Sequence, residues 1–222
     1  MANSPNVCEK HCNCSKMDHK TRLIVITGGP GAGKTALLEM AKKVLCEHVA
    51  ILPESASIVF GGGFWRLQST SAKLAAQSAI FHVQVEMEKL VIGEEKWAVG
   101  LCDRGTLDGL AYWPNSEGSF WEMSRSQAKQ EYEKYIAVIH LRSPTDQFGY
   151  NQKNPLRVET AIQASEIDEK IAHAWAGHSN YEIIGSTENF LTKAQAAMKL
   201  ISKYIPDCCQ AGIKEVADAK IE

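Results

Sequence analysis

The chain lacks any apolar run of the roughly 18 to 20 residues that a membrane-spanning helix requires, so no span is expected along its 222 residues. It also lacks an excess of either charge. Lys and Arg number 24 against 26 Asp and Glu, a formal net charge of -2. General binding of nucleic acid or of anionic lipid rests on a basic surface, and the overall balance argues against both. No internal repeat or low-complexity linker divides the chain, so one domain is expected over residues 21–205, with tails at 1–20 and 206–222. The first tail is polar, carrying Glu9, Lys10, Lys16 and Asp18, which is unlike a secretory leader. A cytoplasmic protein is the expectation.

Cysteine is unevenly placed. Cys8, Cys12 and Cys14 stand with His11 and His19 before the first strand, Cys208 and Cys209 lie near the C-terminus, and Cys46 and Cys102 fall inside core elements. The C-x3-C-x-C spacing of the first cluster is not that of a standard zinc knuckle, and no second half follows it. A flexible, oxidisable tail therefore competes with a metal site there.

What is present is an alternation of apolar runs and helical patterns, the sequence signature of a parallel sheet with crossover helices. Strands are expected at 22–27, 49–52, 97–102, 135–141 and 181–184. Helices are expected at about 33–47, 71–92, 156–175 and 190–204. In the third of these, Ala164, Ile167, Ile171, Ala174 and Trp175 share one apolar face, which assigns Trp175 to the core.

Between the first strand and first helix run Gly28, Gly29, Pro30, Gly31, Ala32, Gly33, Lys34 and Thr35, which satisfy G-x-x-x-x-G-K-[ST]. Glycines let the backbone curl so that successive N–H groups face phosphate oxygens. The helix beginning there adds unpaired N–H groups and the positive end of its dipole. Lys34 would place a full charge on the β- and γ-phosphates, and the Thr35 hydroxyl would ligate Mg²⁺. A triphosphate site for ATP, or GTP, with magnesium follows.

Carboxylates stand at two other strand ends, the edge where open α/β sheets bind ligands. Asp103 follows the third strand and would hold magnesium or orient an acceptor, unless it caps the next turn. Arg104 beside it is placed for phosphate or acceptor contact, whereas Asp108 reads as structural. Glu54, in Pro53-Glu54-Ser55, would accept a proton from an acceptor hydroxyl or simply lie exposed in a loop. Gln84 and Glu88, one helical turn apart, would either contact the acceptor or form a solvated face. Arg142, Lys153 and Arg157 suggest a cationic flap that stabilises a transferring phosphoryl group, on a lid spanning 143–155. Phe60, Phe64 and Trp65 flank Gly61, Gly62 and Gly63 and would stack on a base or tuck onto the core. His178 reads as a satisfied surface histidine within possible reach of the lid.

Taken together, these segments resemble a known family. Residues 24–35, the Pro53-Glu54-Ser55-Ala56 turn and the Asp103-Arg104-Gly105 segment running to Tyr112 occur in order, followed by Arg157-Val158-Glu159, Ile167-Asp168 and Trp175-Ala176-Gly177-His178. They are similar to the AAA-domain family of small P-loop proteins related to the ribosylnicotinamide-kinase domain of the bifunctional NAD-biosynthesis regulator. The resemblance covers about 22–201. It implies a three-layer α/β P-loop fold of nucleoside- or nucleotide-kinase type, with five parallel strands and a lid. It further implies ATP or GTP on residues 28–35 and a catalytic or magnesium role for Asp103. Pro53-Glu54 after the second strand is also similar to deoxynucleoside kinases, a resemblance that implies the role of base for Glu54. The pattern departs from deoxynucleoside kinases, which carry Glu-Arg-Ser where this chain has Asp103-Arg104-Gly105. Two functions remain: a small-molecule kinase with an unnamed acceptor, or a nucleotide-dependent switch or plain ATPase without one. GTP switches usually carry N/T-K-x-D. Asn151-Gln152-Lys153-Asn154 lacks its Asp, which favours ATP.

Overall fold

The computed structural model describes residues 20–114, 117–143, 161–186 and 189–210. Lys153, Arg157, most of the expected lid and the first cysteine cluster lie outside the described residues.

Five parallel strands form one sheet in the order β2-β3-β1-β4-β5, where β1 is Arg22–Thr27, β2 Val49–Leu52, β3 Val99–Asp103, β4 Tyr135–Leu141 and β5 Tyr181–Ile184. Every residue of β1 after Arg22 is buried, as expected of a central parallel strand covered on both faces. The strand alternation divides the core in two. Ile24 and Ile26 meet α1 (Lys34–Val44) and α7 (Phe190–Ser202) through Leu37, Leu38, Ala41, Ala197 and Met198. Leu23 and Val25 face the other layer, packed with Phe81, Leu107, Phe120, Ile171 and Trp175. That layer contains α3 (Thr70–Gly93), a 3₁₀ helix at Thr106–Tyr112, α4 (Glu117–Ser124), α5 (Ala128–Glu133) and α6 (Ala161–Trp175). The three layers of an α/β P-loop fold are complete.

The chain leaves β1 toward one layer and leaves the neighbouring β3 toward the other. A crevice therefore opens at the carboxyl ends of these two strands, the topological switch point at which doubly wound sheets bind ligands. Ile26 of β1 pairs in register with Asp103 of β3. The sheet thus sets the acidic segment beside the glycine-rich turn.

Several elements differ from the sequence expectation. A short helix α2 occupies Ser55–Gly61, with Glu54 at its N-cap; its Ile-Val pair and terminal glycines had concealed it. The stretch after Asp103, without expected elements, contains the 3₁₀ helix, α4 and α5. Phe120 fastens it, making edge-to-face contacts with Phe81 at 5.7 Å and Trp113 at 5.4 Å. Packing continues toward the C-terminus, where a 3₁₀ turn at Asp207–Cys209 buries Cys209.

Candidate active site

The glycine-rich turn folds as its sequence requires. Gly28 has φ 135°, and a Cβ there would fall 2.0 Å from the carbonyl oxygen of Leu141, so glycine is obligatory on both grounds. Gly31, Ala32, Gly33, Lys34, Thr35, Ala36 and Glu39 line a cavity of about 390 Å³ at the start of α1. Buried Lys34 donates from Nζ to the carbonyls of Gly28 at 2.8 Å and Gly29 at 3.0 Å. Burial, followed by the nearby Arg104 charge, lowers its pKa to about 8.

Four charged groups converge beside this turn. Asp103 ends β3 only 7% exposed, and its Oδ1 is buried with no hydrogen-bond partner among the described residues. Burial raises its pKa, against the lowering effect of Lys34 and Arg104. Arg104 donates from Nε to Glu54 Oε1 at 2.7 Å and from Nη1 to Asp108 Oδ2 at 3.2 Å and the Gly28 carbonyl at 3.3 Å. It does so from a left-handed backbone with φ 73°, a conformation that costs a non-glycine residue about 1–3 kcal/mol and collects at functional sites. Burial alone would raise the pKa of Glu54, but the Arg104 guanidinium and the Ser57 hydroxyl hold it down to about 2. Glu54 is a half-buried, ion-paired carboxylate rather than a free loop residue.

Asp108 anchors this cluster. Its Oδ2 accepts from Thr27 Oγ1 at 2.6 Å and its Oδ1 from Trp175 Nε1 at 2.7 Å. Trp175 also explains the glycine of Asp103-Arg104-Gly105, because a Cβ at Gly105 would lie 2.7 Å from the indole and 2.8 Å from Val25. Gly105→Ala is expected to destabilise the protein by about 1–3 kcal/mol through overpacking, measured by urea unfolding.

Behind Ser55 runs a buried polar chain. Ser55 Oγ donates to Gln84 Oε1 at 2.5 Å, Gln84 Nε2 to Glu88 Oε1 at 2.8 Å, and Tyr135 OH to the same oxygen at 2.7 Å. Gln84 and Glu88 are 3% and 4% exposed. The solvated face is therefore excluded, because both side chains lie on the stripe with Phe81 and Val91 that α3 turns inward. His178 needs a similar correction. It is buried, accepting the Asn180 amide at 3.1 Å and hydrogen-bonding the Tyr135 carbonyl at 2.9 Å. That pairing fixes the turn after α6 and gives it no surface position. Trp65 is 77% exposed, so its loop is not tucked onto the core.

Sequence reasoning missed the residues that brace the turn from below. Asp168, on the apolar stripe of α6, accepts the Gly29 amide at 2.6 Å and the Ser143 amide at 3.3 Å. The same carboxylate pairs with His140 Nε2 at 2.9 Å and Arg142 Nε at 3.1 Å. Arg142, expected on a cationic flap, is thus engaged with Asp168 and also with Glu169. Lys193 donates to the Ala32 carbonyl at 2.9 Å and the Arg142 carbonyl at 2.5 Å. Burial opposes ionisation of Asp168, but the His140 hydrogen bond leads the interactions that carry its pKa below the usual carboxylate value. Its contribution to stability is therefore present above the ordinary carboxylate range and is lost as pH falls through the lowered pKa. Asp168→Ala would leave the buried Gly29 amide and the His140 ring without their carboxylate and deprive Arg142 of one of its two partners, and a loss of about 3–5 kcal/mol is expected. Urea unfolding at neutral pH, compared with the same measurement at pH about 3, would check both the size and the sign.

A family model for an AAA domain matches residues 23–189. The chain belongs to that AAA domain family. Among solved structures, it is similar to the deoxyadenosine kinase of M. mycoides with bound dATP. The TM-score is 0.53 at 14% identity, covering 82% of this chain and 99% of that one. It is also similar to the NadR protein in complex with NAD and AMP-PNP, with TM-score 0.56 at 12% identity. That match covers 91% of this chain and 51% of the other, so the chain spans about half of that protein. At these identities the likeness is one of fold alone, the three-layer α/β P-loop fold. No curated protein matches the chain in sequence.

Proposed function

We propose that the chain is a small-molecule kinase that transfers the γ-phosphoryl group of ATP to a nucleoside- or nucleotide-like acceptor. The observation that carries this reading is the cluster of Asp103, Arg104 and Glu54 beside Lys34. A protein that merely holds a nucleotide needs the glycine-rich turn and a magnesium ligand. It has no use for a second carboxylate held ionised by its own arginine at the neighbouring strand end.

In this reading, Gly28, Gly29, Pro30, Gly31, Ala32 and Gly33 shape the cradle, whose amides, with those of Lys34 and Thr35, bind phosphate oxygens. Lys34 exchanges its two backbone carbonyls for the β- and γ-phosphates. Magnesium suits the donor set: Thr35 offers a hydroxyl at the mouth of the cavity, and the orphaned Asp103 oxygen needs a partner that a hydrated hard cation supplies. When bound, Mg²⁺ neutralises phosphate charge. Glu54 accepts the acceptor hydroxyl as a hydrogen bond and takes its proton late, since a carboxylate with a pKa near 2 is a weak base. Its orientation by Arg104 therefore matters more than its basicity. Gln84 backs the acceptor pocket through Ser55. Arg142 and Arg157 would supply positive charge to the phosphoryl group in flight, Arg142 only after leaving Asp168 and Glu169. The chain would work in the cytoplasm, where ATP is supplied.

The test is ATP consumption by the purified protein with Mg²⁺ against a panel of nucleosides, nucleotides and nicotinamide riboside. Acceptor-dependent consumption supports the kinase and names its substrate class. Slow hydrolysis indifferent to every acceptor would replace it with a switch or plain ATPase, and Glu54 would lose its role.

A further inference from the structure

A second cluster of chemically competent side chains lies at the opposite edge of the sheet. After α1 the chain turns through Cys46 and His48 into the amino end of β2, and the C-terminal 3₁₀ turn brings Cys209 against them. One ligand atom from each of Cys46, His48 and Cys209 lies within 4.8 Å of the others, and all three residues are buried. Cys208 stands on the same turn outside that group, its Sγ 3.8 Å from that of Cys209.

Both ligand-bearing turns are held by their own backbones. The Cys46 carbonyl accepts the Val49 amide at 3.1 Å, and the His48 carbonyl accepts the Ala98 and Val99 amides at 2.8 and 3.3 Å. On the other side, the Cys209 amide donates to Pro206 at 2.8 Å, and Gln210 Nε2 donates to the carbonyls of Ser202 at 3.0 Å and Ile205 at 3.3 Å. The donors are thus presented by two rigid segments from distant parts of the chain. Leu45, Val49, Ala98 and Ile205 belong to the same apolar cluster. Such walls exclude water and suit a closed site.

We propose that Cys46, His48, Cys208 and Cys209 form a structural site for one soft divalent cation of the zinc class. Three sulfurs and one imidazole are a tetrahedral Cys₃His donor set. In such a site, ligand atoms lie roughly 3.5–3.8 Å apart, from metal bonds of about 2.0–2.3 Å. The Cys208–Cys209 separation already has this value. The donors of Cys46, His48 and Cys209 need to contract by up to about an ångström from within 4.8 Å of one another, and the Cys208 thiol has to turn in to join them. Each thiol that coordinates releases its proton to water, and no redox step is involved. The bound cation would clasp the C-terminal turn to the entry of β2 and so brace the end of α1 farthest from the phosphate cradle.

The test uses the full chain with Cys8, Cys12 and Cys14 changed to serine, which removes the separate cysteine-rich segment as a source of binding. Titration with Co²⁺ under reducing conditions should give one equivalent per chain, with thiolate charge-transfer bands and the intense visible bands of tetrahedral cobalt, all displaced by Zn²⁺. Cys46→Ser and Cys209→Ser should each weaken binding at least a hundredfold, and Cys208→Ala about tenfold. His48→Cys keeps four donors and should retain tetrahedral bands with stronger charge transfer, guarding against a variant that merely fails to fold. The proposal is overturned by a pale octahedral spectrum, by affinity unchanged in Cys46→Ser or Cys209→Ser, or by loss of the bands in a His48→Cys chain of native circular dichroism. It is equally overturned if the untreated protein is two hydrogens lighter and yields a Cys46–Cys209 disulfide peptide.

Discussion

Lys34→Ala is expected to weaken ATP binding at least a hundredfold, about 3 kcal/mol, while leaving the melting temperature nearly unchanged. In the free protein the ammonium is satisfied by two backbone carbonyls of its own turn, and these would be replaced by charge-assisted bonds to two phosphates. Hydrogen bonds to charged groups contribute about 1.5–3 kcal/mol each, so losing a pair of them sets the scale. The same lysine supplies a pH signature. Its pKa of about 8 in the folded chain lies below the ordinary 10.5. Between these values the unfolded chain binds more protons, so this group's contribution makes the protein more stable as pH rises through that window. Nucleotide affinity should move in the opposite direction, because phosphates require the ammonium form. ATP affinity should therefore fall as pH rises above about 8, while Lys34→Arg, charged throughout this range, should flatten the profile. Calorimetric titration across that range is the measurement. Unchanged affinity in Lys34→Ala would remove the triphosphate from residues 28–35.

The parts of the fold that were legible in the sequence are those in which one physical demand dominates. Central parallel strands are apolar over most of their length, and the runs at 22–27 and 135–141 coincide with β1 and β4, as the shorter runs at 49–52 and 181–184 do with the edge strands β2 and β5. α2 and α5 have seven and six residues, too short for a 3.6-residue period to emerge. The glycine-rich turn could be read because backbone curvature imposes glycine at fixed spacing. Its supports could not, since they act across distant parts of the chain. Asp168 did carry a signal: it falls between Ala164 and Ile171 on an apolar stripe, and a carboxylate there must find partners. His140 gave another, as the one histidine in the apolar run of β4. Nothing in either segment, however, says that Asp168 reaches Gly29. Gln84 and Glu88 were ambiguous for the same reason, because their polarity suits water or an acceptor equally, and only packing turns them inward on the stripe with Phe81 and Val91.

Asp103→Asn is expected to lower turnover about a thousandfold and to leave the folded protein equally stable or more stable by about 1 kcal/mol. The two effects share one cause. Asp103 holds a carboxylate in a buried position where its Oδ1 finds no partner among the described residues, and burial raises its pKa. A group whose pKa is raised on folding supports the folded state best below its unfolded value and opposes it as pH rises through the folded value. Removing the charge removes that opposition, and gains of about 0.5–2 kcal/mol are usual when strain at a functional site is relieved. The asparagine cannot carry the negative charge proposed to hold magnesium, and loss of one preorganised electrostatic contact costs about 10²–10³ in turnover. Glu54 provides the contrast. Its pKa of about 2 keeps it ionised through the working range, so an acid limb in the rate profile does not come from Glu54. Single-turnover kinetics and urea unfolding on the same preparation separate the alternatives. Lost stability without lost turnover would make Asp103 a structural cap, whereas lost turnover with unchanged or greater stability places it at the transferring phosphate.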